Sequence, residues 1–313
     1  MTKKIETLLI NQKVLFLIAI LCSIFASIIP GFLGYANIIQ IFLRAAIEGI
    51  IVIGMTYLII CREIDLSVGQ IMAVSATFSV ILQDQNIILA VIVSIAAGAL
   101  IGLINGLIVV KLKIPSIAST LGMMVFLNGL VYLLTRSDSI YGKNEKYQLI
   151  ADSSLFGIPA VIVILVVLIV IFDIILQTTV WGKSVYAIGN NINAARYSNI
   201  NVDKVRIQVF VLAGTLSGVA GMLLVSRFNV ASGAIGKNIP IFVILAVLLG
   251  GVSLSGGEGS VFRAFQGLML FALIENIFLT LNIHTSYKFI VMGVILIITL
   301  SIDGVYSMRA RYK

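Results

Sequence analysis

The sequence predicts an all-α fold: a polytopic membrane helix bundle of about ten transmembrane helices, with both termini cytoplasmic. Three observations predict it. The chain of 313 residues is 60% hydrophobic and only 11% charged, where a soluble domain is about 45–50% apolar and about 25% charged. Its mean hydropathy is +1.15. Apolar runs of spanning length recur from one end of the chain to the other, so the bilayer must act as its solvent. They are spread evenly, which reads as a single transmembrane domain over 1–313 with no soluble module.

The first run, 13–30, follows Lys3, Lys4 and Lys13 and so looks like a signal peptide. More spans follow it, and Leu21 rather than a small residue precedes Cys22, so it reads as a retained span. The second run is 41–60 and the third 67–83. Asp65-Leu66-Ser67-Val68-Gly69 lies between them, and Asp65 and Ser67 can accept bonds from the free N–H groups that open a helix. The fourth run, 86–110, carries Gly98, Gly102 and Gly106, and the seventh, 205–227, carries Gly214, Gly218 and Gly221. Such small faces let helices pack closely in lipid. The fifth run, 116–135, starts after Pro115, and the sixth is 158–177. An external polar loop, about 136–157, separates those two, and the longest internal loop, about 178–204, follows the sixth. The eighth run is 239–254, the ninth 261–282 and the tenth 287–303. The third and eighth are short and bounded by glycine or polar residues. Either can be broken or re-entrant, which a membrane tolerates only where protein or a water-filled cavity surrounds the break.

Charge sets the orientation. With the N-terminus inside, the 21 Lys and Arg residues divide 14 inside, among them Arg62, Lys111, Arg206 and Arg263, to 7 outside, among them Arg44, Lys143 and Lys237. That bias fits the positive-inside rule and accounts for the net charge of +8 without nucleic acid.

Polar groups inside spans are costly and so become candidates for a solute pathway. Asn105, Asn128, Glu275 and Asn276 are the mid-span candidates, joined by Asp65 and Ser67 at the third span's start. Asn105 and Asn128 can equally glue helices together. Two stretches imitate nucleotide sites. Leu254-Ser255-Gly256-Gly257-Glu258 looks like the signature of ABC ATPases, and Gly182-Lys183-Ser184 like the end of a phosphate loop. The glycine such a loop needs is replaced by Gln177, so no nucleotide site is expected on this chain. His284 stands alone, and Cys22 and Cys61 lie far apart in sequence. With no nucleophile–base pair or metal cluster, the chain is not expected to be an enzyme or to hold a cofactor or metal.

Four stretches together resemble one family, the permeases of ribose-, xylose- and galactose-type ABC importers. They are Ile47 to Gly69 with Ile64-Asp65-Leu66-Ser67-Val68-Gly69, Lys111 to Gly122 with Ile114-Pro115-Ser116, Gly182 to Val202, and Gly250-Gly251-Val252-Ser253-Leu254-Ser255-Gly256-Gly257. The resemblance covers nearly the whole chain in order. It implies a bacterial cell-membrane permease that pairs with a second permease subunit, identical or related. It further implies a separate ABC ATPase and an extracytoplasmic substrate-binding protein. The ATPase would dock on the 182–203 loop, through Gly182, Gly189, Asn190, Asn191, Asn193, Ala194, Ala195, Arg196 and Tyr197. Asp65 stands where related amino-acid permeases tend to carry Asn. The sequence also departs from the family pattern. Arg62 and Glu63 replace two glycines, Lys237-Asn238-Ile239-Pro240-Ile241-Phe242 stands where an acidic residue in a Gly-containing run is usual, and Phe271, Glu275 and Phe278 sit where smaller or apolar residues are usual. The rival reading is a stand-alone secondary transporter of a small polar solute. It would carry inverted repeats with buried coupling-ion sites, and the sequence displays no clear repeat.

Overall fold

The computed structural model describes residues 13–284, with positions 287, 290, 291, 293, 294 and 297. Apart from those positions, the tenth run, 287–303, lies outside the described residues, as do Lys3, Lys4 and the terminal cations. The other nine runs all carry helices: α1 (Lys13–Ile28), α2 (Tyr35–Ile60), α3 (Val68–Gln83), α4 (Ile87–Lys111), α5 (Ser116–Thr135), then α6 (Glu145–Asp152) in the external loop, α7 (Ala160–Thr178), α8 (Val180–Asn190) and α9 (Ile192–Tyr197) in the internal loop, α10 (Val202–Phe228), α11 (Ile239–Leu249) and α12 (Val261–Thr280). Six of these are long and apolar enough to cross a membrane, and three more are apolar but shorter. Four two-residue strands, β1 (Ile140–Tyr141), β2 (Ser154–Leu155), β3 (Ile158–Pro159) and β4 (Val230–Ala231), pair as β1 with β4 and β2 with β3.

Helix starts follow their local chemistry. Asn86, Asn144, Thr179, Asn191, Asn201 and Ser260 each accept a bond from an N–H in the first turn that follows, which satisfies a donor the helix cannot pair itself. The seventh run therefore becomes helical at Val202, and the eighth ends early, at Leu249. Gly251 beyond it takes φ +81, in the left-handed region that glycine tolerates.

A mostly apolar core encloses a set of polar side chains, and the outer face of the bundle is apolar as well. From Ala45 to Ile60 nearly every residue of α2 is buried, and most of α3 and α10 is too. Thr56, Gln70, Ser75, Thr77, Ser79, Ser94, Asn105 and Ser217 are among the buried polar side chains, while α1, α5 and α7 leave rows of aliphatic residues exposed. That is the arrangement lipid demands.

The predicted glycine faces meet each other. A Cβ on Gly98 would run into the Gly214 carbonyl, and one on Gly102 into the Phe210 carbonyl, while Gly106 lies against Ile207. The Lys111–Asp203 ion pair at 3.6 Å continues the same antiparallel register of α4 on α10. α2 also runs antiparallel to α10, with Gly54 against Ala213 and the Glu63–Arg206 pair below.

α3, by contrast, runs parallel to α10. Gly221 packs on Met72 and Ala76, and Asn229 bonds Gln83. That register sets Val68 level with about Thr215, halfway along the 27 residues of α10. α3 is thus a half-span helix that starts in the middle of the bundle and leaves at the Asn229 end. α11 starts at the same level, since Gly69 meets the Gly236 backbone and Pro240, and it leaves at the opposite, Arg206 end. The two short helices stand head to head. Hence α2–α3–α4 and α10–α11–α12 share one plan in opposite directions: a long helix, a non-helical link to mid-depth, a half helix and a second long helix. Both short runs hold half-span helices, the third continuous along its predicted length and the eighth ending early, where the sequence allowed one of them to be broken or re-entrant; the inverted plan is a feature that sequence reading missed.

Candidate functional site

Asp65, Ser67 and Asn105 come together in the first link. Ser67 donates to Asp65 Oδ1 through both its backbone N–H, at 2.8 Å, and its hydroxyl, at 2.6 Å. Asn105 Nδ2, from α4, donates to Asp65 Oδ2 at 3.1 Å and to Ser67 Oγ at 2.8 Å. α5 closes the other side, where the Leu66 N–H donates to Thr120 Oγ1 at 3.0 Å and the Ile64 N–H to Ser116 Oγ at 3.3 Å. All three predicted residues are fully buried. Neither Asp65 nor Ser67 caps α3 in the expected way. Ser67 occupies the cap position but makes no side-chain bond to the helix, and the Asp65 carboxylate is consumed by Ser67 and Asn105. The cluster is a knot tying three helices to an otherwise irregular segment, where unpaired polar groups would be costly.

Asn128 lies apart from that knot. Its Nδ2 faces Gln70 Oε1 at 3.4 Å and the Gly233 carbonyl at 3.3 Å. It therefore sits where the half helices meet. Gln70 is the residue sequence reading missed there. Close by, Lys237 Nζ donates to the Tyr132 hydroxyl at 3.0 Å and lies 5.5 Å from its ring centroid. Asn276 belongs elsewhere: its Nδ2 donates to Asn37 Oδ1 at 2.9 Å, joining α12 to the outer part of α2. Glu275 beside it is half-buried.

The internal loop forms a helical hairpin. Asn191 ends α8 and caps α9, its Oδ1 accepting from the N–H groups of Asn193 at 3.0 Å and Ala194 at 3.1 Å. Trp181 stacks on Tyr57 at 5.3 Å and donates to Gln208 at 3.0 Å, fixing the base of α8. Gly182 and Gly189 are glycines for room: a Cβ on the first would strike the Leu176 carbonyl, and on the second the Ile60 carbonyl. The tip is presented outward. Tyr197 is 92% exposed and Asn193, Ala194 and Arg196 are exposed, whereas Ala195 is only 3% exposed and packs on the core. Arg196 pairs with Asp203 at 3.6 Å.

The departures Arg62 and Glu63 are accommodated within the chain. Arg62 takes φ +62, a conformation glycine adopts without strain and arginine does not. Its guanidinium donates to the Ser255 and Asn190 carbonyls, while Gly257 N–H donates to the Ile60 carbonyl at 2.9 Å. Glu63 accepts from Arg206 Nε at 2.7 Å. The predicted glycine turn 250–257 therefore clamps α2 to the hairpin. Beside it a cleft of about 660 Å³ is lined by Gln177, Tyr186, Glu258, Gly259, Ser260 and Arg263. Burial and the nearby Asp173 push the Tyr186 phenol up and Arg263 pulls it down; as a neutral donor it bonds the Gly259 carbonyl at 2.7 Å.

A bundle with polar side chains buried in its core, half helices meeting at mid-depth, and an ordered hairpin at one end defines a multi-pass membrane permease. Residues 37–300 match the family described as branched-chain amino acid transport system / permease component. The chain belongs to that family. It is 35% identical to the ribose import permease protein RbsC of Bacillus subtilis (strain 168), across 92% of this chain and 90% of that protein. It is 30% identical to the L-arabinose ABC transporter permease protein AraH of Azospirillum brasilense, across 94% and 88%, and 31% identical to RbsC of Escherichia coli (strain K12), across 95% and 94%. No solved structure matches the chain.

Proposed function

We propose that this chain is the transmembrane permease subunit of an ABC importer, passing a sugar or sugar-like solute from an extracytoplasmic binding protein into the cytoplasm. A separate ATPase subunit drives it. The observation that carries the reading is likeness over about nine-tenths of both chains to permeases named for ribose and arabinose. The same likeness disfavours a stand-alone carrier, although the inverted plan alone would be at home in one. The chain forms one membrane domain of about ten spans in the bacterial inner membrane. The Arg206 end of the bundle faces the cytoplasm, because Arg62, Lys111, Arg196 and Arg206 gather there.

The α8–α9 hairpin is the ATPase dock. It is rigidly based, it projects Ala194 and Tyr197, and it is clamped by Arg62 to α2 and the glycine turn. A push on α9 therefore reaches two transmembrane helices through backbone contacts. Ala194→Glu should abolish ATP-driven uptake while the purified protein keeps its melting temperature. Ala195→Glu is a poorer probe, since it buries a charge and disturbs the fold itself. Normal uptake by Ala194→Glu would remove the docking assignment.

The broader reading is tested by solubilising the chain from its native membrane, pulling it down and identifying its companions by mass spectrometry. A separate ABC ATPase is expected, with a second permease that is either the same chain or a relative. A chain that comes out alone and moves ribose or arabinose in proteoliposomes without ATP would sink it.

A further inference from the structure

We infer that Lys237, Tyr132, Asn128 and Gln70 form a hydroxyl-binding station for a polyol in transit, set at mid-depth beside the head-to-head half helices. The inference rests on the sugar-permease reading and places the solute's path on a particular face of the chain.

Depth comes first. Gly236 meets Gly69, which stands at the midpoint of α10, so Lys237 lies well inside the bundle's span and not in an outer loop. The side chains of Lys237 and Asn238 are nevertheless exposed. A charged ammonium at that depth cannot face hydrocarbon and must face water or protein. The neighbouring face of α5 exposes Leu121, Val125 and Leu133, and Gly122 and Gly129 have open space where a Cβ would go. The polar strip of Lys237, Tyr132 and Asn128 runs along the edge of this apolar face.

Chemistry comes second. Lys237 uses one N–H on Tyr132 and has others to give. The Tyr132 hydroxyl both accepts and donates, and its ring offers an apolar face. Asn128 makes only bonds of 3.3 and 3.4 Å, long enough that a closer hydroxyl would displace them at little cost. Gln70 is 2% exposed and anchors the strip to the start of α3. Donors and acceptors closely spaced around one aromatic ring suit a neutral molecule rich in hydroxyl groups.

The test uses the assembled transporter with Cys22 and Cys61 replaced by serine and Lys237→Cys added. Cells are treated from outside with the membrane-impermeant, water-soluble thiol reagent MTSET, with and without excess ribose or arabinose. Labelling that blocks uptake, and that either sugar slows, is expected. No labelling by MTSET where lipid-soluble N-ethylmaleimide reacts would overturn the aqueous path, and labelling indifferent to both sugars would overturn the station. In the otherwise unsubstituted protein, Lys237→Met should raise KM for the transported pentose about tenfold or more, with partial recovery in Lys237→Arg. An unchanged KM with normal amounts of folded protein also counts against it. If the unsubstituted transporter moves neither pentose, the fault lies with the substrate class; MTSET access to Lys237→Cys still decides whether that position faces water.

Discussion

The units α2–α3–α4 and α10–α11–α12 solve one problem by different means. Each must lead a non-helical link to mid-depth, where bare backbone polar groups are expensive. The first link, 61–67, is held by side chains: buried Asp65, Ser67, Asn105 and Thr120, with half-buried Ser116, pair with one another and with the backbone. The second, 229–238, is fixed at its outer end, where Asn229 bonds Gln83 and Gly142 and β4 pairs with β1. Deeper, it relies on backbone turns such as Ile235 N–H to the Ser232 carbonyl at 3.2 Å. Its half helix has 11 residues against 16 in the first unit. The first unit spends its polar side chains on structure. The second leaves Lys237 and Asn238 exposed. The first link is thus held by side chains, whereas the second is held mainly by backbone and leaves polar side chains at its surface.

The contact that joins the units carries the largest expected effect. Gly69→Leu drives a side chain into the Gly236 backbone, and no monodisperse protein should survive detergent size exclusion. Gly122→Leu on the open face of α5 should elute normally, and a folded Gly69→Leu protein would break the head-to-head arrangement. Next comes the scaffold link. Asp65→Leu strands the Ser67 N–H and hydroxyl and the Asn105 amide, costing about 3 kcal/mol or more, with Asp65→Asn nearer about 1 kcal/mol. Thermal melting in detergent reads both, and equal melting points would show that the knot is not structural. The smallest effect on stability is expected beside the second link, on α5: Asn128→Ala costs under about 1 kcal/mol, since its bonds to Gln70 and the Gly233 carbonyl are long, yet it should weaken pentose uptake. A large drop in melting temperature would assign Asn128 to scaffold instead.

Several parts of this were legible early. The short third and eighth runs stood out because a half-span helix cannot hide its length, and the glycine faces stood out because small residues at helical spacing have few other uses in lipid. The internal loop was recognisable by its glycines and asparagines, although its division into two helices at Asn191 was not. Arg62 and Glu63 read only as departures from the family pattern, because their partners, Ser255, Asn190 and Arg206, are far away in sequence. Gln70 gave no signal at all.

Composition by itself determined that the chain is a membrane bundle, since no folding in water could cover so much apolar surface. Run length and Lys/Arg bias marked the spans and their orientation only as a pattern along the chain. Tertiary structure alone decided which helices stop at mid-depth together, which asparagine is locked into the Asp65 knot and which makes only long bonds, and which alanine of the hairpin faces outward. Those depend on registers between helices far apart in sequence. Such registers are set by backbone-to-backbone contact at glycines such as Gly98, Gly214, Gly69 and Gly236, and local pattern carries no record of which glycine meets which.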